Sequence, residues 1–382
     1  MTASVRPRPL AGVLVADFSR ILAGPYCTML LGDLGAEVIK VESPAGDDTR
    51  HWVPPSRDGI STYYLAVNRN KRSICLDFKV AEDLAAAREL ARRADVVVEN
   101  FRTGSLARFG LDFDSVHRAN PGIVYASITG FGSGPGRELP GYDLAVQAMS
   151  GLMSLTGPAD GPPYRAGISV FDVMAGLHAT VGVLAALGHR RETGLGQHVE
   201  VNLLSSALSG MVNQSSAFVA GGEVPTRMGN SHPSLFPYEP FPTADGELIV
   251  TAGNDTQFRK LCSVLGVPDL AADPRFTRNA DRTANRDELR PLLAERLRTR
   301  PRAEWFRELT GAGLPCGPIN TVEEGVRFAT DLGLDPVVRC GDGSDTAPSV
   351  RHPISFSATP AGYERPPPRL DEHGEELRAW LA

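Results

Sequence analysis

No GxGxxG run follows the first apolar segment, no GxSxG occurs anywhere, and the five cysteines (Cys27, Cys75, Cys262, Cys316, Cys340) include no CxxC pair. These gaps argue against a dinucleotide phosphate loop, a serine-hydrolase elbow, and a zinc or disulfide framework. His178, His198 and His232 lack metal-ligand spacing, so no metal is expected. Basic residues are not in excess: 39 Lys and Arg against 45 Asp and Glu give a net charge of −6, which disfavours nucleic acid and anionic membranes as partners. The longest apolar stretch, residues 173–187, is short of the roughly 20 residues that span a bilayer and contains His178. It reads as a buried core helix, and the early Asp17 and Arg20 argue against a signal peptide. With scattered cysteines read as reduced thiols, a cytoplasmic protein is expected.

A chain of 382 residues, 42% hydrophobic and 22% charged, carries enough apolar surface for two domains. Residues 12–18 and 36–42 read as buried strands flanking a helix that begins after Ala23-Gly24-Pro25. Strands at 95–99 and 123–128, with a charged helix over 81–93 before them, continue a parallel α/β pattern. Residues 197–204 pass from strand into helix. Residues 221–243, rich in Gly, Pro and Ser, read as a linker, and a smaller α+β unit opens with a strand at 247–252. The tail, residues 335–370, is loop-rich before a last helix over 372–381.

Three features bear on chemistry, and each has a structural reading beside a functional one. Residues 68–79 hold Arg69, Lys71, Arg72 and Lys79, either a solvated edge strand or a phosphate site. Gly130, Gly132, Gly134 and Gly136 either hold phosphate on their amides or serve turn geometry. Asp172, before the apolar run, reads as a helix N-cap or as a nucleophile kept ionised by helix-end amides, with Gly176 one turn later leaving room for a substrate.

Nine stretches, in order along nearly the whole chain, resemble the family III CoA-transferases, also called the CaiB/BaiF family. They are residues 10–19 with 23–25, 34–42, 70–74, 95–102, Gly141-Tyr142-Asp143, Phe171-Asp172, 193–197, Gly229 to Pro233, and Pro315-Cys316-Gly317-Pro318. The resemblance implies an α/β fold: a Rossmann-like large domain built from both chain ends (1–220 and 335–382), a smaller α+β domain with its return linker (244–334), and an interlocked, obligate homodimer. It implies CoA transfer from an acyl-CoA to a free carboxylic acid, with Asp172 as the nucleophile, the CoA thioester as co-substrate and no prosthetic group. By position it assigns CoA contacts to Leu22, Ala23, Leu76, Asp77, Phe78, Lys79, Asn100, Phe101, Arg102, Arg108 and Tyr142. Leu22 stands where some relatives carry Gln, so its contact is through the backbone. No glycine run occurs in the smaller domain, unlike the formyl-CoA:oxalate branch.

The rival of the same fold is a 2-methylacyl-CoA racemase, whose second proton carrier is the His of a Gly-His-Asp motif. Tyr142 replaces that His, and a phenol near pH ~10 is a poor two-way proton carrier. The racemase's supporting acid would align near Asp255. A non-catalytic CoA-binding protein is a more remote alternative.

Overall fold

The computed structural model describes residues 8–342 and 346–382. They form two compact units, one comprising residues up to Leu152, Arg165–Glu223 and the chain from Leu334 onward, the other Met153–Tyr164 and Val224–Gly333.

The first unit is organised by a six-stranded parallel sheet. Its strands are β1 (Leu14–Asp17), β2 (Glu37–Glu42), β3 (Lys71–Cys75), β4 (Val96–Glu99), β5 (Val124–Thr129) and β6 (Gln197–Asn202), in the order β3-β2-β1-β4-β5-β6. Strands covered on both faces need apolar residues on both, and Val15, Ala16, Val38, Ile39 and the Val96-Val97-Val98 run are all inaccessible or nearly so. One face is covered by α1 (Ala23–Asp33) and by a long helix spanning Val170–Thr193; the other by α2 (Ala81–Arg93) and the C-terminal helix Gly374–Leu381. The tail thus completes the core begun by the N-terminal half.

Four expectations are corrected here. The cations at residues 69–72 form neither a solvated edge nor a phosphate site: buried Arg69 grips Asp33 through two bonds of 2.6 and 2.8 Å, and buried Lys71 donates to Asp17 at 3.0 Å. Arg72 pairs with Glu37 and Glu376, so only Lys79 of the group is exposed. Buried ions of this kind must be paired, because desolvation otherwise costs several kcal/mol or more. Second, the long helix is not a wholly buried core element. Phe171, Ala175, Ala179 and Val183 face the core, whereas Leu177, Val181 and Leu184 remain exposed. Among the described residues it is the one helix long and apolar enough to cross a membrane by length and composition.

Third, Gly176 does not leave room for a substrate. A Cβ there would fall 2.6 Å from the Ala23 carbonyl oxygen, so this glycine lets the long helix close on α1. Fourth, the stretch read as a linker contains a strand, Tyr238–Pro242, at one edge of the second unit's antiparallel sheet; it pairs with the central strand Glu247–Thr251, whose other neighbour is Cys316–Pro318. That sheet packs on helices through Phe236, Phe241, Phe258 and Trp305.

Candidate active site

In a sheet of this order, β1 and β4 are neighbours whose following connections leave in opposite directions, which opens a crevice at the carboxyl ends of the strands. A cavity of about 420 Å3 occupies that place. It is lined by residues 20–23 after β1, 100–103 after β4, 128–132 at the end of β5, the loop 136–142, and Asp172. Seven of the residues assigned from the sequence meet there: Asp172, Leu22, Ala23, Asn100, Phe101, Arg102 and Tyr142.

Asp172 is brought in by two helices. The backbones of Gly130 and Gly141 cross so closely that a Cβ on Gly130 would lie 2.6 Å from the Gly141 Cα. That crossing sets Tyr142 and the start of α3 (Asp143–Met149) over the end of β5. From α3, the Asp143 carboxylate accepts the backbone N–H of Phe171 at 2.7 Å and of Asp172 at 3.2 Å. Gln147, one turn on, donates to the other Asp143 oxygen and accepts the Ala166 N–H at 2.8 Å. These contacts fix the first turn of α4, the helix Val170–Thr193.

The N-cap is therefore Ser169 by position, and Asp172 is the third helical residue rather than the cap. The first-turn amides serve Asp143, so they do not hold Asp172 ionised. Burial instead pushes the Asp172 carboxyl up from 3.8 to about 7, and the charge of Asp143 adds to it. A carboxylate of that basicity is half ionised near neutrality and a stronger nucleophile than an ordinary aspartate. Tyr63, absent from the sequence-derived set, belongs to this neighbourhood: burial pushes its phenol up, a bond to Ser169 opposes the shift, and the charges of Asp172 and Asp143 add to it.

The loop after β1 is pinned by Asn100, whose side chain accepts the Arg20 N–H at 2.9 Å and donates to the Arg20 carbonyl at 2.6 Å. Both ends of that amide are thus committed to loop shape. Glu99, pushed up to about 7 by burial, accepts the Phe101 N–H at 2.8 Å and holds the facing loop. At the rim Arg102 pairs with Glu138, and Arg20 with Asp48 at 3.0 Å. Exposed pairs of this kind contribute little stability, so an anionic ligand can displace the carboxylate at small cost.

Leu76, Asp77, Phe78, Lys79 and Arg108 do not line this cavity. Leu76 is core, and the Asp77 carboxylate accepts the Lys79 N–H at 3.0 Å. Phe78 meets Phe18 and Phe109 edge-on, and the Arg108 guanidinium lies 4.6 Å from the Phe109 ring centroid. Lys79 and Arg108 are both exposed. Among the residues that the sequence reading gave no role, Asp143 and Gln147 carried a signal: their i,i+4 spacing is that of a hydrogen-bonded helix pair. Among the described residues no group of three or more His, Cys, Asp or Glu is placed to hold a metal.

The profile of CoA-transferase family III matches residues 10–374. The chain is 44% identical to a succinate–glutarate CoA-transferase of Agrobacterium fabrum, covering 98% of this chain and 96% of that one. The chain is also 40% identical to the acetyl-CoA:oxalate CoA-transferase of Acetobacter aceti, over 100% of this chain and 98% of the relative. A crystal structure of a CaiB/BaiF family protein from Brucella suis superposes with a TM-score of 0.88 at 42% identity, covering 99% of this chain and all of that one. With a basic aspartate at the switch point of a parallel sheet and these matches over nearly its whole length, the chain belongs to the family III CoA-transferases and is an enzyme that transfers CoA.

Proposed function

We propose that the protein moves CoA from a dicarboxylic acyl-CoA to a free dicarboxylic acid through a covalent intermediate on Asp172. The observation that carries this reading is the Asp172 carboxyl, half-buried at the cavity and raised to about 7. An Asp172 oxygen attacks the thioester carbonyl, the C–S bond breaks, and CoA leaves as the thiolate, giving a mixed anhydride. The thiolate then attacks the aspartyl carbonyl, releasing the first acid as its carboxylate and leaving CoA on Asp172. The acceptor carboxylate attacks that thioester, and the freed thiolate takes the acceptor's acyl group, restoring the Asp172 carboxylate with no net proton exchanged.

The dicarboxylate preference rests on the relatives, whose names specify succinate and glutarate in Agrobacterium fabrum and succinyl-CoA and glutarate in Mus musculus, the latter 41% identical. Incubating the enzyme with succinyl-CoA and a panel containing glutarate, oxalate, mesaconate and monocarboxylates, followed by mass spectrometry, tests it. New CoA thioesters of dicarboxylates are expected, and transfer to monocarboxylates alone contradicts the preference. Run in deuterated water on a 2-methylacyl-CoA, the same assay tests the racemase reading: no α-proton exchange is expected. Tyr142 stands in place of the racemase histidine, and Asp255 is committed to Arg282, whose guanidinium also donates to the carbonyls of Phe236 and Phe276. Rapid α-deuterium uptake without transfer to any acid would make the enzyme a racemase.

For the nucleotide end of CoA the exposed cations Lys79 and Arg108 remain the candidates. A lost charged hydrogen bond costs about 1.5–3 kcal/mol, so Arg108→Ala is expected to raise the KM for acyl-CoA by roughly tenfold or more and to leave that for the acid unchanged. An unchanged KM for acyl-CoA removes Arg108 from the site. We also infer that two copies assemble, interlocked as the family resemblance implies. The exposed stripe Leu177, Val181 and Leu184 on the long helix, with Leu208, Val212 and Phe218 also exposed, offers apolar surface that a second copy would cover. A solution mass of one chain contradicts this.

A further inference from the structure

The loop between β1 and α1 contains a residue in an unfavourable conformation. Ile21 has φ of +71°, a region where a β-branched side chain clashes with its own backbone and which such residues rarely adopt. It persists only where the surroundings over-determine it. Those surroundings are specific. The Ile21 N–H donates to both oxygens of Asp47, at 3.2 and 3.3 Å. Asp47 is fixed by buried Lys40 at 2.9 Å, and Lys40 also donates to the Ser19 carbonyl at 3.0 Å. Asp47 further accepts the backbone and hydroxyl of Thr49, at 3.0 and 2.7 Å, and its own N–H is held by Glu42 at 2.9 Å.

Lys40 and Asp47 are thus anchored to β2 and the turn after it and reach the loop from beneath, while Asn100 grips Arg20 from β4's side. Four consecutive backbone groups, from the Ser19 carbonyl to the Ile21 N–H, are each met by a side chain. Neither Lys40 nor Asp47 lines the cavity, whereas Arg20, Ile21, Leu22 and Ala23 do. A buried ion pair is weak evidence for stability alone and better explained where it fixes one geometry. Released from Asp47, Ile21 would relax to negative φ and re-aim the main chain of Leu22 and Ala23.

We propose that Lys40 and Asp47 are positioning residues for acyl-CoA: the pair holds Ile21 in the left-handed conformation that presents the backbone of residues 20–23 to the thioester. The proposal rests on the cavity being the acyl-CoA site, and its test separates the two ideas.

The test is a set of kinetic comparisons on the full-length enzyme, joined to hydrogen exchange at the amides of residues 19–23. Asp47→Asn is expected to raise the KM for acyl-CoA by about tenfold, with the KM for the acid moving less than twofold, and to speed exchange in the segment. In an Ile21→Gly background, where the left-handed conformation is free of the side-chain clash, the same Asp47→Asn change is expected to cost at most about threefold. A merely structural pair would lower Tm and leave the KM of the folded enzyme alone in both backgrounds. Should Asp47→Asn fail to fold, Ile21→Pro and Ile21→Gly decide the question with the ion pair intact. Both remove the isoleucine side chain, but proline forbids positive φ and lacks the N–H that Asp47 accepts, so Ile21→Pro, which the pair can no longer hold, is expected to have the higher KM for acyl-CoA by at least about tenfold. Equal KM values for those two variants overturn the proposal, as does an equal Asp47→Asn cost with and without Ile21→Gly. Faster exchange with an unchanged KM for acyl-CoA shows that acyl-CoA does not bind against residues 20–23, which rejects that wall of the cavity as its site and the proposal with it; a raised KM with unchanged exchange rejects the positioning role alone.

Discussion

Asp172→Asn is expected to abolish CoA transfer, by about a thousandfold or more, and at the same time to make the protein more stable above pH 7. The first effect follows from removing a nucleophile for which the reaction has no substitute. The second follows from burial. The unfolded chain releases the Asp172 proton near 3.8, but the folded protein releases it only near 7. Between those values the folded state binds more protons than the unfolded one, so this group's contribution to stability falls as pH rises from about 4 to about 7 and is constant above. Asparagine carries no charge to bury, so the gain in Tm is largest above pH 7 and vanishes towards pH 4. Thermal melts of both proteins at pH 5 and pH 8 measure this. A side chain serving only to stabilise the helix start gives the opposite result, with Tm lowered and activity retained in the folded fraction.

Asp143 is expected to set both the position and the acidity of that nucleophile. The wild-type kcat/KM should rise with pH through about 7, because the attacking form of Asp172 is the ionised one. Asp143→Asn keeps an oxygen for the Phe171 N–H but removes the charge that adds to the raised Asp172 value, so the acid limb of the profile should move to lower pH. Asp143→Ala additionally frees the Phe171 and Asp172 amides, while in both variants the Gln147 amide loses the oxygen to which it donates. Leaving such buried groups unmet costs about 1–3 kcal/mol each, and kcat should fall by roughly ten- to a hundredfold with substrate KM values less affected. A profile for Asp143→Asn that superposes on wild type shows that its charge does not act on Asp172.

The layered fold was legible because parallel strands covered on both faces are written as unbroken apolar runs, as in Val96-Val97-Val98. Charges inside that sheet were not legible. Lys40, Lys71 and Asp17 look like surface residues until the fold brings their partners from elsewhere in the chain, and Lys71 meets Asp17 across a gap of 54 positions. The strand Tyr238–Pro242 was hidden by Pro240 and Pro242, residues that an edge strand tolerates and that otherwise mark a linker.

At the site, the motifs around Asp172 and Tyr142 were readable, but their electrostatics were not. An aspartate at a helix start is ordinarily stabilised as the anion by free amides. Here Asp143 from another helix occupies the amides of Phe171 and Asp172, and only the folded chain brings the two carboxylates together. Gly176 misled for a similar reason, since a glycine facing a ligand and one facing a neighbouring helix look alike in sequence.

The central claim, that Asp172 itself carries the acyl group and then CoA, is tested most directly by trapping. Enzyme mixed with succinyl-CoA and quenched into hydroxylamine, then digested and analysed by mass spectrometry, should show a hydroxamate on Asp172 and on no other carboxylate. Asp172→Asn treated in the same way should show none. Unmodified Asp172 in an enzyme that is turning over, or a hydroxamate on a different residue, would contradict the account.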